Sequence, residues 1–96
     1  MTADFSSIYN HHERTVVQLV TTLAKDYPAM KKRPELLADI ACVALNRLPP
    51  RYIRHEVDFS FYLSEKERAD NEQVIQDAVR YAFEFVQARM VMRARL

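Results

Sequence analysis

The sequence predicts a small all-α domain of three to four helices, with room for a short extended segment after its Pro49-Pro50 turn. Two observations carry this. Apolar residues recur at three- and four-residue intervals over most of the chain, and prolines stand where those periodic runs stop. The composition, 49% apolar and 28% charged over 96 residues, belongs to a folded single domain spanning residues 1–96.

The first periodic run extends from about Phe5 to Lys25: Phe5, Ile8, His12, Val16, Leu19 and Leu23 share helical spacing, with Asp4 or Ser6 available as the cap. The β-branched stretch from Thr15 to Thr22 suits a strand by propensity, but the longer period favours a helix. Tyr27-Pro28 ends it, because a residue before proline avoids helical geometry. Lys31 to Arg33 reads as a short basic connection.

Pro34 suits a first helical turn, and Glu35 lies near the positive end of the helix dipole. The helix from Pro34 to about Arg47 is apolar nearly all round and is expected to be the central core helix, closed by Pro49-Pro50. Beyond it Ile53, Val57, Phe59, Phe61 and Leu63 share one parity, the pattern of a half-buried extended segment. This is either a strand seeking a partner, from this chain or a second one, or a loop pinned by its aromatics. Ser64-Glu65-Lys66-Glu67 is a capping box for a last helix running to near Arg89. Its stripe of Ile75, Val79, Ala82, Val86 and Met90 follows four-three spacing and reads as core or as a helix-pairing seam, core being favoured, with Phe83 and Phe85 beside it. The basic tail, Arg89 to Leu96, is expected to fray.

The absence of glycine excludes whole classes of site. Phosphate-cradling loops, dinucleotide fingerprints and nucleophile elbows all need a residue without Cβ for tight turns and close approach. Fourteen basic residues against thirteen acidic ones give no global field for nucleic acid, so any anion site is local. The single cysteine, Cys42, cannot close an internal disulfide or hold zinc alone, and its place between Ala41 and Val43 reads as a buried, inert thiol. No run approaches a membrane span or a signal peptide, so a cytoplasmic protein is expected. His11 and His12 are adjacent and therefore diverge on a helix, so no metal site is expected; neither is catalysis.

Two polar residues interrupt the apolar helix. Asp39 and Asn46, seven apart, project from one stripe, and burying either costs several kcal/mol unless it is satisfied. The plain structural account pairs Asp39 with an arginine and uses Asn46 to cap the helix end. Just beyond, Arg47, Arg51 and Arg54 are interleaved with Tyr52 and His55 and followed by Glu56 and Asp58. Guanidinium groups fit phosphates and stack on bases, while carboxylates accept from guanine's edge, so this is a kit for a guanine nucleotide as well as an ordinary solvated charge run. Arg47-x-x-x-Arg51 resembles half of the PilZ motif, but the glycine-containing half is missing and the helical pattern is wrong for that barrel.

The run Asp39-Ile-Ala-Cys-Val-Ala-Leu-Asn46-Arg47-Leu48-Pro49-Pro50-Arg51-Tyr52-Ile53, with Asn10-x-x-Glu13 upstream, resembles the late competence development protein ComFB family from about Ile8 to Arg89. The resemblance implies a small helical domain that forms a homodimer and acts as a receptor for cyclic dinucleotides, mainly cyclic-di-GMP and in some lineages cyclic-di-AMP. It implies ligand roles for Asp39, Asn46, Arg47, Arg51 and Tyr52, with Asn10 and Glu13 as further candidates. Arg54, His55 and Asp58 join them from the charge cluster. Some members carry a zinc-binding cysteine cluster before the Asp helix; here Met30 to Ala38 holds no cysteine, so no metal is inherited, and Lys31, Lys32 and Arg33 stand there instead, able to approach a phosphate.

The expectation is therefore a non-enzymatic cyclic dinucleotide receptor without a cofactor. Its arginines gather where the core helix stops at two prolines, and it signals to a downstream protein. The alternative is an adaptor or dimerisation module with no nucleotide, using the last helix and the Phe59–Phe61 segment. A weaker one is nucleic-acid binding through Arg89, Arg93 and Arg95.

Overall fold

The computed structural model describes residues 2–55, 57 and 63–95. Among these, the order is β1 (Tyr9–Asn10), α1 (His12–Leu23), a 3-10 turn (Ala24–Asp26), α2 (Pro28–Lys31), α3 (Pro34–Arg47), β2 (Tyr52–Ile53) and α4 (Glu65–Arg95). The protein is predominantly helical, as its periodicity predicts.

Prolines set the boundaries. Tyr27, Arg33 and Leu48 each precede a proline and each leave helical geometry, with ψ of 70°, 88° and 140° respectively. Helix α2, one turn long, replaces part of the expected connection and seals Met30 completely inside. The first helix begins at His12 rather than near Phe5. Asn10 is held in the strand pair, where it faces Tyr52 as Tyr9 faces Ile53 in antiparallel register, and its Oδ1 accepts the His12 N–H at 3.1 Å. Phe5 and Ile8 are thus outside any helix and exposed, and Asp4 and Ser6 bond each other in a local turn instead of capping α1.

Among the described residues, the extended segment after the prolines finds its partner within the chain, over Tyr52–Ile53. Val57 is helical and exposed, which departs from the alternating reading; Phe59 and Phe61 lie outside the described residues. The capping box is present: the Glu67 N–H donates to Ser64 Oγ at 3.1 Å, and the Ser64 hydroxyl donates to Glu67 Oε1 at 3.2 Å. Helix α4 does not stop near Arg89 but continues through the basic tail to Arg95.

Helices α1, α3 and α4 pack around one core of Val16, Val20, Met30, Ile40, Ala44, Leu48, Ile75, Val79, Ala82, Phe83 and their neighbours. The four-three stripe of α4 is this core, with Met90 half-covered at its end. Phe83 is fully buried and lies flat on Tyr27, their ring centroids 4.3 Å apart at 10°. No polar or charged side chain is buried among the described residues.

Candidate functional site

Helix α3 has one buried side and one polar side. Ile40 and Ala44 are buried at its centre, while Asp39, Cys42, Asn46 and Arg47 are exposed. The stripe that carries Asp39 and Asn46 faces solvent, so no desolvation penalty has to be offset there. Neither the arginine partner for Asp39 nor a cap from Asn46 exists among the described residues. Cys42 is exposed, contrary to the buried thiol expected, because it falls on this same outward side, three residues after Asp39.

The candidate residues from the sequence do not share one place. Asn10 is a structural joint: its Oδ1 accepts from the backbone N–H of both His12 and Arg51, at 3.1 and 3.3 Å. Being in β1, it does not share a helical face with Glu13, which lies in the exposed first turn of α1 beside Tyr9, Arg14, Val17 and Gln18. Arg47 lies over the ring of Tyr81 on α4, 3.8 Å from the centroid. Arg51 lines a separate groove of about 330 Å³ with His12, Leu48, Pro49, Pro50, Asn71 and Val74, and its backbone oxygen accepts from the His11 N–H at 2.7 Å. Tyr52, Arg54 and His55 are exposed, and Asp58 lies outside the described residues. Among the described residues Arg47 and Arg51 line no common groove: the β1–β2 pairing joins the chain after the prolines to the segment that precedes α1, while Arg47 lies on α4.

A different concavity assembles charge. Between α3 and α4 runs a groove of about 640 Å³ lined by Arg33, Leu36, Asp39, Cys42, Val43, Phe85, Val86, Arg89, Met90, Arg93 and Ala94. Three guanidinium groups, one carboxylate and one aromatic ring thus share an apolar floor. Arg33 is held at the groove's end by Glu35, Nε to Oε1 at 2.8 Å, and lies 3.9 Å from the Met90 sulfur. Arg89 lies near the Phe85 ring, 5.7 Å from its centroid. Asp39 has no ion pair among the described residues and stays available to a donor. Of the expected ligand residues, this groove holds Asp39 alone.

From the sequence, Arg33 belongs to a basic connection able to approach a phosphate, and Arg89 and Arg93 to the basic tail that offers a weaker nucleic-acid alternative. The signal for the groove is the register of α4. Phe85, Arg89 and Arg93 recur every four residues, the first two each one position before the buried Val86 and half-buried Met90, so they flank the core stripe on the side of α3.

At the second groove, burial holds the His12 imidazole below its ordinary pKa, and the charges of His11 and Arg51 push the same way. His12 Nδ1 is buried with no hydrogen-bond partner among the described residues, consistent with a neutral ring. Among the described residues no group of three His, Cys, Asp or Glu side chains is placed to hold a metal ion, and no helix is long and apolar enough to cross a membrane.

No curated protein matches the chain. The profile of the late competence development protein ComFB family matches residues 9–90, from the first strand through most of α4. The chain belongs to the ComFB family.

Proposed function

We propose that this protein is a non-enzymatic receptor for a cyclic dinucleotide, cyclic-di-GMP or cyclic-di-AMP, and that the ligand lies in the α3–α4 groove. The observation that supports this reading is the convergence of Arg33, Arg89 and Arg93 with Asp39 and Phe85 on one concavity of about 640 Å³, within the usual size of a small-ligand site. Guanidinium groups offer paired donors to the two phosphates. The Phe85 face offers a stacking surface, and the Asp39 carboxylate accepts from the donor edge of guanine.

Titration calorimetry with cyclic-di-GMP, cyclic-di-AMP and GTP tests the reading. Heat with a cyclic dinucleotide that is lost in Asp39→Ala and Arg89→Ala supports it; no heat with any of the three contradicts it. A second reading, a protein-binding adaptor that acts without a nucleotide, is favoured by the apolar residues exposed along α4, among them Val74 at 51% and Met92 at 67%.

A further inference from the structure

The polar groups of the α3–α4 groove are not spread evenly along it. Arg33, just before α3, reaches the Met90 sulfur, and Arg47, at the end of α3, lies over Tyr81, so the two helices run antiparallel. Asp39 falls about midway between Arg33 and Arg47 and therefore stands at the level of Phe85. Arg89 and Arg93 lie roughly one and two turns further along α4, toward Arg33. One end of the groove thus offers a carboxylate and an aromatic face. The other offers guanidinium groups beside Met90 and Ala94.

Acceptors are scarce there. Among the described residues that line the groove, Asp39 alone has a side-chain oxygen, and no amide or hydroxyl side chain joins it. Glu35, beside the groove's end, already accepts from Arg33. An ionised carboxylate only accepts hydrogen bonds. The edge of guanine sets its ring N–H beside its exocyclic amine, two parallel donors that match the two carboxylate oxygens. Adenine sets an acceptor nitrogen beside its amine, so the same carboxylate meets one donor and one lone pair. Adenine's usual bidentate partner is an Asn or Gln side chain, which the groove lacks. At the arginine end the requirement is looser, because every purine presents N7 and a π-face to a guanidinium.

We propose that the groove reads one guanine, at Asp39, and accepts either purine as the second base. Its ligand class is then a cyclic dinucleotide with at least one guanine: cyclic-di-GMP and the mixed cyclic GMP-AMP bind alike, and cyclic-di-AMP is disfavoured. This selectivity rests on the receptor reading proposed above and goes beyond it by assigning the two bases different requirements.

Calorimetry with cyclic-di-GMP, cyclic GMP-AMP and cyclic-di-AMP keeps the sugar–phosphate ring constant and varies the bases alone. The first two are expected to bind the unmodified protein within about threefold of each other. Cyclic-di-AMP is expected to bind about tenfold more weakly or worse, the discrimination of one bidentate pair. In Asp39→Asn, whose amide sets a donor beside an acceptor and so suits adenine, the gap between cyclic-di-GMP and cyclic-di-AMP is expected to fall below about threefold or to reverse. Cyclic-di-AMP binding as tightly as cyclic-di-GMP, cyclic GMP-AMP binding as weakly as cyclic-di-AMP, or an unchanged ratio in a folded Asp39→Asn overturns the single-guanine assignment and leaves the receptor reading standing. No binding of any of the three removes both. The comparison on the unmodified protein decides the matter whether or not Asp39→Asn folds.

Discussion

The side-chain oxygen of Asn10 accepts the backbone N–H of Arg51 at 3.3 Å across an interval of 41 residues, while also accepting that of His12. One amide thus starts α1 and anchors the chain just after the two prolines. Two parts of the family-like pattern meet through it.

Asn10→Ala is therefore expected to destabilise the fold by about 1 kcal/mol, the usual cost of losing such a cap, and to leave cyclic dinucleotide affinity within about twofold. Urea unfolding and calorimetry on the same variant check the two halves. A variant of native stability that no longer bound ligand would reassign Asn10 to the site.

Phe83 is fully buried against Tyr27, so Phe83→Ala is expected to cost about 3–5 kcal/mol by chemical denaturation. Phe83→Leu, which keeps most of the volume, is expected to cost clearly less. Equal losses would mean that ring stacking rather than cavity formation sets the stability there.

His12 makes stability depend on pH. Its folded-state pKa is lowered from 6.5, first by burial and then by the charges of His11 and Arg51. The folded protein binds this proton more weakly than the unfolded chain does. Its contribution is complete above the unfolded value and is lost as pH falls below about 6.5 toward the folded pKa. The slope of unfolding free energy against pH in this window is expected to flatten in His12→Gln; an unchanged slope would remove His12 as its source.

The groove and the Pro-Pro arginines make opposite predictions. Arg89→Ala and Arg93→Ala are expected to weaken cyclic dinucleotide binding tenfold or more, and the affinity is expected to fall with added salt. Arg51→Ala, which alters a separate groove, is expected to change affinity by less than about threefold. Calorimetry on these variants reads the difference directly; a larger loss in Arg51→Ala than in Arg89→Ala would move the site to the prolines.

Much of the fold was legible in the residues. Proline positions gave the ends of α1 and α3, the Ser64 capping box gave the start of α4, and four-three spacing gave its core stripe. The start of α1 was not legible, because Phe5 and Ile8 fall on the helical period by coincidence, and Asn10 is diverted by a pairing with Tyr52 that no local pattern encodes.

The site was less legible for a related reason. Residues close in sequence, such as Arg47 and Arg51, look like a cluster, yet one lies on Tyr81 of α4 and the other lines a separate groove. Residues remote in sequence, Asp39 and Arg89, converge only when α3 lies on α4. The polarity of Asp39 and Cys42 was visible; which way α3 would turn them was not, since a helix apolar nearly all round leaves its buried side to its neighbours.

The most direct measurement is calorimetric titration of cyclic-di-GMP and cyclic-di-AMP into the unmodified protein and into Asp39→Ala. The account predicts saturable binding of at least one of them to the unmodified protein and a loss of tenfold or more in a well-folded Asp39→Ala. No heat from either nucleotide, or the same affinity in both proteins, would contradict it.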